Sequence, residues 1–386
     1  MRGCRLTSVS WRRRERRDES SLQRVSIAQP RPVGAGEDLA RAFTLPASDY
    51  VDPAVFEREK SRIFGRTWQL VARADELARV GDLKPATILD EPVLITHGLD
   101  GKLRGFYNVC RHRAAQVVLA KGNRRSLQCP YHGWTYGLDG RLQVAREMDG
   151  TEDFDKADFG LQPIRVERWG PFIFANLDRD APSLAEVMGA IPDEVSRAGY
   201  DVDRMQLVER RDYVINCNWK VYVDNYLEGY HIPIVHPGLF RELDYPSYRT
   251  ETRTNYSIQH APLKRPERIR VNDPADDIDY FWIWPNLMLN VYPDNFSTNL
   301  IVPLGPTRTM TLFEWYFRDP DGPGVRQRID ETIAFSDEIQ LEDIGICEAV
   351  QRGLRSSTYD TGRYSPSREN GVHHFHGMYA EAMGLR

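Results

Sequence analysis

NVCRHRA (108–114) and CPYHGWTYGLDG (129–140) decide the reading of this chain. They set Cys110 and His112 two positions apart and then, after 16 intervening residues, Cys129 and His132 three positions apart. Two thiolates and two imidazoles in this order suit a [2Fe–2S] cluster of Rieske type. There the cysteines bind one iron and the histidines the other, which raises the potential above that of an all-thiolate cluster. With 5 Cys and 9 His in 386 residues, chance gives such a pattern on the order of a few times in 100,000. The competing assignment is a structural Cys2His2 zinc site, but those usually open with two cysteines at short spacing. Pro130 and Gly133 permit tight loops whose amides approach the sulfurs, and Tyr131 is expected to donate the hydroxyl hydrogen bond that tunes the potential.

Outward from these loops, residues 82–175 read as short strands broken by Gly and Asp turns: ATILDEPVLITH (86–97), GKLRGFYNV (101–109), HGWTYGLDGRLQ (132–143) and RWGPFIFANL (168–177). Before them, DPAVFEREKSRIFGRTW (52–68) carries Val55, Phe56, Ile63 and Phe64 at helical spacing behind an Asp52–Pro53 start signal. After them come a charged helical connector at 182–199 and a strand at 205–216. NWKVYVDNYLEGYHIP (218–233) is helix-like, strands follow within 279–318, and a long helix at about 326–354 ends with Gly353. The expected class is therefore α+β, a small β-domain placed ahead of a larger mixed domain.

Composition narrows the function. A net charge of −5 argues against general nucleic-acid binding, and no apolar run approaches the ~20 residues a membrane span needs. Outside the cluster motif, Cys4, Cys217 and Cys347 are scattered and odd in number, which points to a reducing compartment and a cytoplasmic location. The first 40 residues are rich in Arg and Ser. A transit peptide would lack acids, and Glu15, Asp18 and Glu19 are present. A disordered tail, or a stretch translated ahead of the true start, is the expectation.

A cluster domain alone needs far less chain than this. The remainder contains His231 and His236, five apart in DNYLEGYHIPIVHPG, a spacing that cannot share one helical face. Pro233 and Pro237 supply breaks that let them converge, and two histidines with one carboxylate form the non-haem Fe(II) set that leaves positions open for O₂. The acid is not fixed by composition, since Asp337, Glu338, Glu342 and Asp343 crowd one helix. His373, His374 and His376 in GVHHFHGMY also suggest metal, but adjacent histidines diverge on a helix and no acid or Cys stands at ligand spacing, so packing is expected there.

Over about residues 45–380 the chain resembles the catalytic α subunit of Rieske non-haem iron oxygenases, the aromatic ring-hydroxylating dioxygenase family. It is most similar there to the choline monooxygenase and carnitine or betaine oxygenase branch. The matching segments are NVCRHRA with CPYHGWTYGLDGRL, NWKVYVDNYLEGYHIPIVHPGL, NLMLNVYPDNFSTNLIVPLGP and EDIGICEAVQRGL. The resemblance implies an N-terminal arm (1–44), a Rieske domain with a leading helix (45–180) and a helix-grip-like catalytic domain with an antiparallel sheet (181–386). It implies mononuclear iron on His231, His236 and Asp343, Asn225 lining the iron pocket, and Glu228 linking that site to a cluster histidine of a neighbouring subunit in a head-to-tail homotrimer.

It also implies electrons from a separate NAD(P)H-dependent flavin or iron–sulfur reductase, since no G-x-G-x-x-G follows a strand here. O₂ and a small quaternary or methylated amine would be the substrates. The alternatives are an arene-hydroxylating dioxygenase and, in a different class, a Rieske electron carrier without oxygenase activity. Phe281, Trp282, Trp284, Tyr292, Phe296, Trp315 and Tyr316 crowd the expected pocket sheet, where aromatic faces would host a trimethylammonium group.

Overall fold

Three antiparallel sheets organise the computed structural model, which describes residues 38–264, 277–292, 295–322 and 324–385. The expected N-terminal arm lies outside the described residues as far as residue 37, Cys4 included. Its last residues are packed, so the body begins ahead of the boundary drawn at 44. Ala42 is buried, Phe43 bridges Arg363, and the Arg363 guanidinium donates to the Ala42 carbonyl at 3.0 Å.

A one-turn helix α1 (Ser48–Val51) leads into α2 (Pro53–Arg62). The Asp52 carboxylate accepts the Ala54 N–H at 2.8 Å and Pro53 fills the first helical position, so the expected start signal is used. One face of α2 buries Val55, Phe56 and Glu59.

The first sheet holds β1 (Gln69–Arg73), β2 (Asp82–Ile88), β3 (Glu91–His97), β4 (Leu103–Tyr107) and β5 (Gly122–Asn123). A three-stranded sheet follows, β6 (Leu127–Gln128), β7 (Thr135–Tyr136) and β8 (Leu142–Val144). The chain then returns through β9 (Pro163–Trp169) and β10 (Phe172–Asn176) to complete the first sheet in the order β1-β10-β9-β4-β3-β2-β5. Both Cys/His segments occupy loops here, one after β4 and one between β6 and β7.

The connector forms α3 (Leu184–Met188) and α4 (Ile191–Arg197). Ser183 and Glu186 cap α3 reciprocally, each side chain accepting the other's backbone N–H. Next comes β11 (Gln206–Ile215), then α5 (Trp219–Tyr226), α6 (Ile232–Val235) and α7 (Pro237–Glu242). The second sheet adds β12 (Arg249–Thr252), β13 (Tyr256–Pro262), β14 (Asp277–Ile283), β15 (Leu287–Val291), β16 (Asn295–Gly305) and β17 (Arg308–Phe317), ordered β11-β17-β16-β15-β14-β13-β12. Helices α8 (Val325–Gly353) and α9 (Asn370–Met383) close the chain.

Alternation along β14 shows how this sheet serves two cores. Phe281 and Ile283 point to one face and pack with Leu289, Phe296 and Tyr316 against Phe172 and Phe174 of β10 and Leu184 of α3. Burying each such side chain contributes roughly 1.5–3 kcal/mol. Tyr280 and Trp282 point to the other face, where α5 and α9 pack. The aromatic residues expected to form a cage therefore divide. Trp282 and Trp284 pack with Phe375, Trp315 joins Phe313 and Ile329, and Phe281, Phe296 and Tyr316 pack toward β10. Tyr292 alone of that set lines the pocket described below. Size and apolarity made the others core, because filling the space between the sheets outweighs any role at a cavity wall.

Candidate metal centres and active site

The two Cys/His loops are built alike. Cys110 N–H donates to Ala115 O and Ala114 N–H returns to Cys110 O, at 2.8 and 3.0 Å. Cys129 N–H donates to Trp134 O and Gly133 N–H returns to Cys129 O, at 2.8 and 3.1 Å. Four residues after each cysteine the backbone turns left-handed, at Ala114 (φ 60°) and Gly133 (φ 71°). Glycine takes this conformation freely, whereas alanine there is strained, and such strain persists only where the surroundings over-determine it.

Both thiols are buried, and burial pushes the Cys129 thiol up, with the neighbouring Cys110 adding to the rise. The His112 and His132 rings lie 4.6 Å apart, and His112 stacks on Trp134 at 4.9 Å. His112 Nδ1 is buried without a hydrogen-bond partner, its ring lies beside that of His132, and the two cysteine side chains interact with each other, an arrangement that fits a cluster taking two ligands per iron. A single zinc ion would need all four ligand atoms around one point. Among the described residues, only His231, His236 and Asp343 converge in that way.

The sulfur-directed hydroxyl is not the one expected. Tyr131 is 56% exposed and lays its ring 3.7 Å from that of His132. Tyr136 instead places its hydroxyl 3.2 Å from Cys110 Sγ while accepting the Arg111 N–H at 3.0 Å. The loop turns Tyr131 outward, whereas Tyr136 lies on β7 and points in by strand alternation. Burial first, then the Cys110 contact, raises the Tyr136 phenol far above its usual range, so it stays a donor.

The second centre gathers residues more than 100 positions apart. His231 precedes α6, and His236 stands between α6 and α7, where Pro237 starts a new helix. A Cβ at Gly229 would fall 2.7 Å from the Tyr248 ring, so the turn between α5 and His231 requires glycine. Asp343 Oδ1 sits 3.0 Å from His236 Nε2 and 3.7 Å from His231 Nε2, and ligand atoms of the three lie within 4.8 Å of one another. Each remaining ring nitrogen is held by a glutamate: His231 Nδ1 by Glu228 at 2.6 Å and His236 Nδ1 by Glu342 at 2.7 Å. This is the outer arrangement that fixes tautomer and aim in histidine metal sites. Burial lowers the basicity of His236, but hydrogen bonds and charges from Asp343 and Glu342 outweigh it and hold the imidazole above its ordinary value.

Helical geometry separates the four candidate acids. Gln340, Asp343 and Cys347 fall on the inward stripe of α8, where Gln340 accepts the Tyr222 hydroxyl at 2.5 Å. Glu342, the residue before Asp343, lies about 100° around the helix and reaches the back of His236, Asp337 pairs with Arg211 and Tyr213 on β11, and Glu338 is exposed. Asn225 donates to Asp343 Oδ1 at 2.7 Å. The outer Glu342 contact escaped the sequence reading, which offered only its adjacency to Asp343.

A cavity opens on this triad. Its aromatic walls are Tyr222, Tyr226, Tyr248, Tyr280, Tyr292 and Phe313, joined by Gln259, Asn290 and Asn299. The Tyr226 hydroxyl donates to Asn290 at 2.7 Å and that of Tyr248 to Gln259 at 2.8 Å, so these polar tips are spent within the wall. Tyr222 and Tyr226, four apart on α5, were visible as a helical pair. Tyr248 and Tyr280 carried no local signal.

Of the C-terminal histidines, His376 is buried in hydrogen bonds with tyrosines and Asp224, and His373 lies against Tyr364. Burial lowers His374, whose ring faces Trp282. The three form no metal group among the described residues.

Residues 67–155 match the model of the Rieske [2Fe-2S] domain, and 202–385 match that of the ring hydroxylating alpha subunit catalytic domain. The chain is 36% identical to a chloroplastic choline monooxygenase of Arabidopsis thaliana, covering 88% of this chain and 82% of that protein. It is 33% identical to the carnitine monooxygenase oxygenase subunit of Escherichia coli K12, covering 88% and 94%. A solved quaternary ammonium Rieske monooxygenase in complex with L-carnitine superposes with a TM-score of 0.79 at 30% identity, over 92% of this chain and 99% of that one. Naphthalene 1,2-dioxygenase from Rhodococcus sp. shares the fold, with a TM-score of 0.70 at 22% identity.

Proposed function

This chain belongs to the Rieske non-haem iron oxygenases, and from that premise we propose that it hydroxylates a small quaternary or methylated amine of the choline, betaine or carnitine kind. The enzyme is an oxygenase that uses a Rieske [2Fe–2S] cluster and a mononuclear iron. We assign the cluster to Cys110, His112, Cys129 and His132 and the iron to His231, His236 and Asp343. Iron bound there supplies O₂ activation, and the cluster supplies electrons one at a time.

The chain's own groups do the rest. Glu228 and Glu342 accept the Nδ1 protons of the two histidines and present both Nε2 atoms to one point. Asn225 steadies Asp343. The observation that carries the substrate reading is the cavity above them: tyrosine rings wall it, and Glu228 and Asp343 give it negative charge, with no lysine or arginine among its described lining residues. A trimethylammonium group has no N–H to donate, so ring faces and nearby carboxylates are its natural hosts, each ring worth about 0.5–2 kcal/mol. Oxidation at an N-methyl carbon yields formaldehyde and the demethylated amine, whereas oxidation at an alcohol carbon yields a hydrated aldehyde.

Electrons would come from a separate NAD(P)H-dependent reductase, and the subunits would assemble head to tail as a trimer. Exposed apolar groups support this at both ends of the transfer. Tyr230, Ile234 and Leu341 flank the iron residues at 57%, 85% and 62% exposure, and Leu119 stands out at 69% near the cluster loops. A cytoplasmic location is part of the same reading. None of the four described cysteines forms a disulfide, and no described helix is long and apolar enough to cross a membrane.

The test is single-turnover product analysis of the reduced protein against quaternary amines and arenes. A true substrate speeds O₂ uptake and gives formaldehyde or aldehyde in stoichiometric yield. If toluene or a benzoate is hydroxylated while choline, betaine and carnitine leave O₂ uptake unchanged, the arene reading replaces the amine one.

A further inference from the structure

A second cavity also reaches His231. It shares Asn225, Glu228 and His231 with the first and is lined beyond them by Asp224, Glu369, His376, Tyr50 and Tyr359. Here His376, 1% exposed, holds Nε2 at 2.9 Å from Asp224 Oδ1 and 3.0 Å from the Tyr50 hydroxyl. The Tyr50 hydroxyl donates to Asp224 Oδ2 at 2.7 Å, and the Tyr364 hydroxyl stands 2.5 Å from His376 Nδ1. Asp224 is adjacent to Asn225, which touches Asp343. A histidine kept only for packing needs none of this, whereas a carboxylate–imidazole pair opening on a cavity beside an oxygen-consuming site is a proton store.

The reaction requires one. Converting R–H and O₂ to R–OH and H₂O consumes two electrons, which the cluster supplies, and two protons, which must come from solvent. We infer that the His376–Asp224 pair is the proton donor serving the iron site through water in this cavity. The Nε2 proton moves to Asp224 Oδ1 and from there to a cavity water beside Asn225, while the Nδ1 proton stays on the ring and is donated as a hydrogen bond to the Tyr364 oxygen. Solvent reloads the pair by the reverse path, and no electron moves.

The groups facing His376 suit this. Burial first, then the Asp224 charge, pushes the Tyr50 phenol far up, and Tyr364 follows for the same reasons, so both stay protonated. Asp49 on α1 is raised mainly by burial. Glu369, at the start of α9, is raised by burial against the opposing Ser365 N–H, with Glu228 and Asp224 adding to the rise.

The inference rests on the oxygenase reading, yet the two fail separately. His376→Gln keeps a donor near the Nε2 position but cannot hold the extra proton. It should bind both metals, lower coupled turnover by about 10–100-fold and enlarge the solvent isotope effect. Asp224→Asn should act in the same way, and it stands in if the first variant does not fold. Tyr364→Phe removes an equal hydrogen bond from the other ring nitrogen and should leave the isotope effect at the wild-type value, whereas a merely structural role makes the variants alike. In the wild-type holoenzyme, ¹⁵N NMR should show the His376 Nε2–H exchanging rapidly with water. Protection of that proton for hours, full coupled turnover in both dyad variants, or a Tyr364→Phe effect equal to that of His376→Gln would each overturn the proposal. Absence of product from every amine and arene in the wild type would sink the oxygenase reading instead.

Discussion

The two metal-holding regions are assembled in opposite ways. The four proposed cluster residues fall within Cys110–His132, on two loops of one small β-region whose backbone hydrogen bonds repeat each other. The proposed iron residues come from the α6 region and from α8, and the cavity above them is walled by residues from α5, β13–β17 and the segment before β12. The first region is a local device, set by turn chemistry. The second exists only once the large sheet and α8 have packed. Local sites therefore tolerate lesions elsewhere, and long-range sites depend on single contacts between distant elements.

The largest expected effect separates the regions outright. Asp343→Ala removes the one carboxylate facing both Nε2 atoms, so iron should be lost and turnover should fall by about 10³-fold or more. The electron paramagnetic resonance signal of the reduced cluster should be unchanged. Metal analysis and spectroscopy on one sample check both halves, and full turnover in this variant would move the third ligand to another acid, with Glu342 first in line.

Next comes coupling between the regions. Glu228→Gln keeps a hydrogen bond to the His231 ring but removes a charge, and it should preserve both metals while slowing electron transfer to iron by about 100-fold, as a lost outer contact does at metal sites. Mixing subunits sharpens the point. A cluster-dead Cys110→Ala chain co-assembled with an iron-dead Asp343→Ala chain should recover turnover if electrons cross between subunits. A mixture as inactive as its parts, or a monomer with full activity, rules that route out.

What the sequence disclosed follows the same division. The cluster motif, the α2 start signal, the His231/His236 break and the long α8 were legible because spacing, prolines and capping residues act over a few positions. The helix also narrowed the acid to four neighbours, but choosing Asp343 from composition was impossible. The choice depends on which stripe of α8 meets Tyr222 and His236, a fact of tertiary packing. The pocket was hardest. Large aromatics such as Trp282 and Phe281 advertise themselves in sequence and then fill the core, while Tyr280 reaches the cavity through strand register and Tyr248 from the turn that precedes β12.

A smaller effect is expected from the carboxylate behind His236. Glu342→Gln still accepts a hydrogen bond from Nδ1, so the ring keeps its aim while losing the charge that makes it a better ligand. Iron affinity should drop by about 10-fold, the low end of the range for such partners, as measured by competition with a chelator. No change would reduce Glu342 to a surface contact.

The smallest effect lies in the local region and tests whether its tuning hydroxyl is now correctly placed. The Tyr136 hydroxyl approaches Cys110 Sγ at 3.2 Å and, being buried and protonated, donates to it. A donor stabilises the more negative reduced cluster, so Tyr136→Phe should lower the midpoint potential. A hydrogen bond to a charged acceptor is worth about 1.5 kcal/mol at the weak end, which for one electron corresponds to about 60 mV. Iron and sulfide content should be unchanged, because all four candidate ligands remain. Tyr131→Phe should leave the potential where it was, since that ring lies exposed against His132. Redox titration of the two variants side by side decides the matter: a shift in Tyr131→Phe and none in Tyr136→Phe would return the role to the residue that the CPYHGW motif first suggested.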